Sequence, residues 1–87
     1  MDVQARLTGV CKLFKRAIEQ IEKDIKEKER RARALGDDIE KLQRDPEPDQ
    51  AKIQELAQKR QALESELETD RIQLGAFREE FSASCSG

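Results

Sequence analysis

The chain has 87 residues, of which 41% are charged and 3% aromatic, with no Trp, Tyr or His. Its 17 basic and 19 acidic side chains are mixed along the sequence and leave a net charge of −2, so charge implies neither a nucleic-acid nor an anionic-membrane partner. No apolar run approaches the roughly 20 residues that cross a bilayer, and the N-terminus lacks a charged-then-apolar-then-small pattern, so the expected setting is intracellular, in the cytoplasm.

Ala, Glu, Lys, Leu, Arg and Gln dominate, a profile of long helices and coiled coils, and the length allows one helical domain over residues 1–87. From Leu7 the first arm runs Leu7, Cys11, Phe14, Ile18, Ile21, Ile25, Lys28, Ala32, Leu35, Ile39 and Leu42. These alternating steps of four and three form a heptad seam with Lys28 as its polar exception. The spacing predicts a helix over about 3–44. Gly36, followed by Asp37, Asp38 and Glu40, resembles a helix end with a new cap, but the heptad phase passes through it unbroken, so a continuous helix with a soft point is expected.

The turn is predicted at 45–49, where Asp45-Pro46-Glu47-Pro48-Asp49 halts the helix. Proline lacks an N–H and pushes the residue before it out of the α region. Pro48 suits the first helical position of the next arm, with Asp49 close behind to face the positive end of that helix.

The second arm, expected over about 48–82, reads Ile53, Leu56, Arg60, Leu63, Leu67, Asp70, Leu74, Phe77 and Phe81, the same spacing with Arg60 and Asp70 as exceptions. Residues 83–87 are small and polar and are expected to fray. Lys28, Arg60 and Asp70 read as polar seam residues that set register and snorkel outward.

So short a turn requires an antiparallel hairpin. Folding about Glu47 opposes Leu42 with Ile53, Ile39 with Leu56, Ala32 with Leu63, Ile21 with Leu74, Ile18 with Phe77 and Phe14 with Phe81. The same register opposes Asp45 with Lys52, Asp38 with Lys59, Arg31 with Glu66 and Glu22 with Arg71. It also sets Glu29 against Glu64 and Lys15 against Arg78, so the charges support the register without deciding it. The expected fold is all-α: an antiparallel two-helix coiled-coil hairpin associating into a four-helix bundle.

Parts for catalysis are scarce. With no His, no glycine-rich phosphate loop and no Cys-x-x-Cys pair, neither an enzyme, a metal site nor a bound cofactor is expected. Three features remain. Cys11 lies on the seam opposite Ser84, with Cys85 one residue further, so the two thiols can reach disulfide geometry at the open end. An intracellular setting favours leaving them free, Cys11 as a small seam residue and Cys85 on a frayed tail.

Val3, Val10 and Ala17 form a third apolar row, and Leu13 and all three phenylalanines gather at the same end. Val10, Phe14, Ile18, Leu74, Phe77 and Phe81 are therefore expected to dock a second copy or a partner helix. The tip, with Asp45, Glu47 and Asp49, resembles in shape alone the coiled-coil fingers of transcript-cleavage factors, although turn chemistry suffices to explain its acids.

The expected function is a protein-interaction or oligomerisation module working through the open end. A second class is a regulator that inserts the acidic tip into a larger machine such as a polymerase. A third is a weak nucleic-acid binder using Arg30, Arg31 and Arg33, a basic segment interrupted by acid and without aromatic neighbours.

Overall fold

The computed structural model describes residues 3–85, with side chains described from Gly9 onward. Leu7 and Val3, expected on the seam and on the third apolar row, have side chains outside the described residues, as do Ser86 and Gly87 of the expected tail. Two helices make up the fold, α1 over Val3–Gln43 and α2 over Gln50–Cys85, packed against each other as an all-α hairpin. Its extents are 72 × 16 × 14 Å.

Helix α1 passes through Gly36 without interruption, as the heptad phase predicts. An added Cβ there would meet only the Arg60 guanidinium, at 3.4 Å, so this glycine is not demanded by close backbone contact. The end of α1 tightens: Arg44 N donates to Glu40 O at 3.2 Å, and Asp45 N donates to Leu42 O at 3.3 Å. The carboxylate of Asp45 then accepts from Glu47 N at 3.0 Å, an Asx turn that satisfies the backbone where proline cannot donate.

Pro48 lies outside α2 rather than at its first position. The cap is Asp49, whose Oδ1 accepts from Lys52 N at 3.1 Å while its carbonyl accepts from Ile53 N at 3.0 Å. A carboxylate one residue before the first turn satisfies an orphan N–H and meets the positive helix end, which outweighs proline's preference for that place.

The apolar seam is thin. Ile25, Leu56, Leu67 and Leu74 are the buried hydrophobic side chains among the described residues, and none is fully enclosed. Ile25, Leu67 and Leu74 form one cluster, with Ile18 and Ile21 packed against it. Every described apolar seam residue is at least half-buried, whereas Arg60 is exposed. Arg60 pairs with Glu64 on its own helix at 3.1 Å while its guanidinium lies beside Gly36 of α1.

Helix α2 does not fray after Ser82. It continues to Cys85, whose sulfur is bonded to that of Cys11 with Cα atoms 5.8 Å apart. The thiols are therefore not free. The bond lies one residue along from the level predicted for Cys11, and for such short side chains this fixes the backbone register close to the expected one.

Longer side chains depart from that register. Lys28 reaches Asp70 at 2.7 Å, three residues beyond Leu67, its expected opposite. Glu29 takes Arg71 at 3.3 Å and Glu22 takes Arg78 at 3.4 Å, one heptad beyond the expected partners. The cause is geometric: side chains on a helix lean toward its N-terminus. In a hairpin, the long charged side chains of the two arms therefore reach each other when each lies C-terminal of its partner's level, as these three pairs do. The shift also removes the expected clashes of Glu29 with Glu64 and Lys15 with Arg78.

The other expected cross-arm pairs give way to neighbours on the same helix. Lys52 and Lys59 both pair with Glu55, and Arg31 pairs with Glu27. An i,i+3 or i,i+4 partner is already in place once the helix forms, so a distant partner offers little more. The phenylalanines also re-pair. Phe14 meets Phe77, with ring centroids 5.9 Å apart at 63°, in place of Phe81.

Candidate functional surface at the open end

Three features meet where residue 11 of α1 faces residue 85 of α2: the disulfide, the edge-to-face pair Phe14 and Phe77, and an outward apolar stripe. The stripe arises from spacing. Val10, Leu13 and Ala17 recur at helical intervals beside the seam, so they share one side of α1. Val10 is 46% exposed and Leu13 65%, while Ala17 is half-buried. Phe14, Phe77 and Phe81 are all half-buried at the same level. An aromatic pair in this edge geometry carries a modest attraction beyond burial, which helps hold the two arms together here.

The six residues expected to dock a partner divide by position. Val10 faces solvent, and Phe14, Phe77 and Phe81 present part of their surface. Ile18 packs against the core cluster and Leu74 is buried within it, so both support the face from beneath. Leu13 belongs on the face with Val10; in the sequence it stands at the same end but outside the expected row of Val3, Val10 and Ala17. Ile72, 68% exposed, lies two residues from Leu74 and thus about 200° around α2. A lone exposed apolar side chain of this kind is ordinary and marks no site.

The tip offers less than its charge suggests. The carboxylates of Asp45 and Asp49 are occupied in holding the turn and capping α2, which leaves Glu47 as the acid without a structural task there. Among the described residues no group of three or more His, Cys, Asp or Glu side chains is placed to hold a metal ion. Two arginines of the basic segment are likewise compensated. Arg30 bonds Glu27 at 2.7 Å and Arg31 bonds the same carboxylate at 3.2 Å. The hydrogen bond from Arg30, more than its charge alone, holds the Glu27 carboxyl below the usual range.

An open groove of about 950 Å³ lies between the arms beside Gly36 and Arg60. Its rim mixes Arg33 and Arg71 with Glu64 and Glu68, so it has no single charge to offer a ligand. The Lys28 and Asp70 pair sits partly buried on the seam, with side chains 26% and 19% exposed. The hydrogen bond to Asp70 raises the Lys28 pKa above its ordinary value, opposed by partial desolvation. This pair joins two of the three polar interruptions of the seam to each other. Sequence spacing alone set each against an apolar residue.

No helix among the described residues is long and apolar enough to cross a membrane. No family model, curated protein or solved structure matches the chain.

Proposed function

We propose that this chain is a non-catalytic protein-interaction module, an antiparallel coiled-coil hairpin that docks through the apolar face at its open end, first of all onto a second copy of itself. The observation that carries the reading is the contrast between an under-filled interior and outward apolar side chains. Its accessible surface is 6875 Å² for 10.0 kDa. A compact monomer of that mass exposes about 5,200 Å². The radius of gyration is 19.6 Å, against about 12 Å for a globular chain of this length.

A rod with so little interior gains stability from any surface that covers its exposed apolar groups. Val10 and Leu13 stand beside three half-buried phenyl rings, the largest apolar side chains in the molecule. A second copy brings the same patch to an isologous contact, which two-fold symmetry satisfies with one set of side chains. Two hairpins joined in this way form a four-helix arrangement.

The test is sedimentation equilibrium of the air-oxidised chain and of the Val10→Asp, Leu13→Glu variant. Both substituted positions are exposed, so helicity is expected to persist while the associated mass falls to that of one hairpin. If wild type associates and the variant matches it in mass and helicity, the face is wrong. A wild type that stays monomeric at all concentrations directs the search to a different protein partner. The tip-insertion reading rests on Glu47 alone, since the neighbouring acids are engaged in the turn.

A further inference from the structure

We propose that the Cys11–Cys85 disulfide is a thiol-exchange site for a dithiol reductant, and that its redox state decides whether the docking face at the open end is assembled. The second clause rests on the docking reading above; the first does not. Both cysteines are half-buried rather than enclosed, at the end of the rod and not in its core cluster. The bond ties residues separated by 74 positions, and it acts on the last turn of α2.

Among the described residues the deepest packing ends at Leu74, and Ala83 and Ser84 of that turn are exposed. Between Leu74 and Cys85 the apolar contacts come from Phe77 and Phe81, which are only half-buried. The docking face takes Val10 and Leu13 from α1 and Phe77 and Phe81 from α2. Its shape therefore exists only while the two helix ends stay together, and the disulfide is the covalent link that keeps them so.

The exchange balances without another component. One thiolate of the reductant attacks a cysteine sulfur, the disulfide breaks, and the other cysteine leaves as a thiolate. The reductant's second thiol then attacks the mixed disulfide at the reductant's own sulfur and releases the remaining cysteine. The reductant ends as a disulfide, two electrons pass to the chain, and both cysteines take up protons from its thiols through water. Reoxidation by a disulfide-bearing oxidant reverses each step.

Preorganisation gives the direction. A face built across two helices binds more tightly when its parts are already held in place, so the oxidised form is the competent one. Reduction frees the end of α2 and disperses the face.

The experiment compares air-oxidised protein with protein reduced by dithiothreitol, using the full chain throughout. Amide hydrogen exchange over residues 77–85 is expected to quicken by about ten-fold or more on reduction, with residues 20–40 and 53–70 little changed. Sedimentation of the same samples is expected to show association in the oxidised form weakened by about ten-fold on reduction. A Cys11→Ser, Cys85→Ser variant should behave as the reduced protein under both conditions. Two free thiols by mass in the air-oxidised protein overturn the proposal, as does unchanged exchange over 77–85. Faster exchange with an oxidised protein that never associates supports the exchange site and removes self-docking. Association that is present and equal in both states removes the control while leaving the docking face.

Discussion

At the tip of the hairpin the helices are joined through residues 44–49, held by hydrogen bonds that span no more than four positions. At the open end they are joined by a bond across 74 positions and by rings from both arms. One end is thus closed by local chemistry and the other by chemistry that requires the whole fold to be in place first. The tip forms whenever α1 ends and α2 starts. At the open end the described residues leave Val10 and Leu13 exposed beside the bond.

The sharpest way to break this contrast is to cut the bond. Replacing Cys85 by Ser releases a loop of 74 positions. The chain-entropy model gives such a closure about 4.5 kcal/mol, so chemical denaturation under oxidising conditions should lose stability on that scale. A loss below about 1 kcal/mol means that helix packing, and not the bond, closes the open end. Next comes the seam between the two ends. Leu67 is the most buried side chain among the described residues, 4% exposed. Leu67→Ala should lower unfolding free energy by about 2–3 kcal/mol, toward the lower end of such losses because a thin rod collapses readily onto a small cavity.

The tip predicts smaller numbers. Asp49→Ala removes the cap of α2 and should lower stability by about 1 kcal/mol, whereas Glu47→Gln should leave the denaturation midpoint unchanged. Equal effects at the two positions would show that the acids act through net charge and not through the turn. The glycines test the helices themselves. A Cβ at Gly75 meets nothing within 4 Å. Gly75→Ala should therefore stabilise by up to about 1 kcal/mol, and Gly36→Ala by less, because its Cβ touches Arg60.

The smallest effects come from titration. The Lys28 pKa is raised above its ordinary value of 10.5 when folded. The stability it contributes is complete below that value and is lost as pH climbs through the raised one. The Glu27 carboxyl moves the other way, below 4.5, so its contribution is complete above that value and is lost as pH falls through the lowered one. Melting temperature followed at both extremes should show a shallow decline above pH 10.5 that Asp70→Asn weakens. An unaltered alkaline limb in that variant would mean the seam pair has no part in it.

How much of this was legible beforehand depends on the range of the interaction. The break between the arms and the continuous passage through Gly36 are visible in the spacing of residues, whereas Lys28 and Asp70, expected to snorkel outward, pair with each other partly buried on the seam. Pro48 stays outside α2 because its preference for a first helical position competes with the stronger cap at Asp49. The pairs expected at the edges failed for a geometric reason. Counting levels treats side chains as points on the axis, whereas Arg78 and Glu22 lean toward each other from different levels. At the open end Val10 faces solvent, whereas Leu74 is buried in the core cluster and not on a surface.

The sequence by itself determined two long helices, the place where they turn, and a backbone register close to the one that brings Cys11 beside Cys85. These follow from propensity, proline sterics and heptad spacing, which act within a few residues. Only the tertiary structure decided that the sulfurs join and that α2 therefore runs to Cys85. It also decided that Lys28 takes Asp70 across the seam and that Val10 and Leu13 remain uncovered. Each of these depends on the reach and lean of side chains from two helices at once, and no single stretch of chain contains that information.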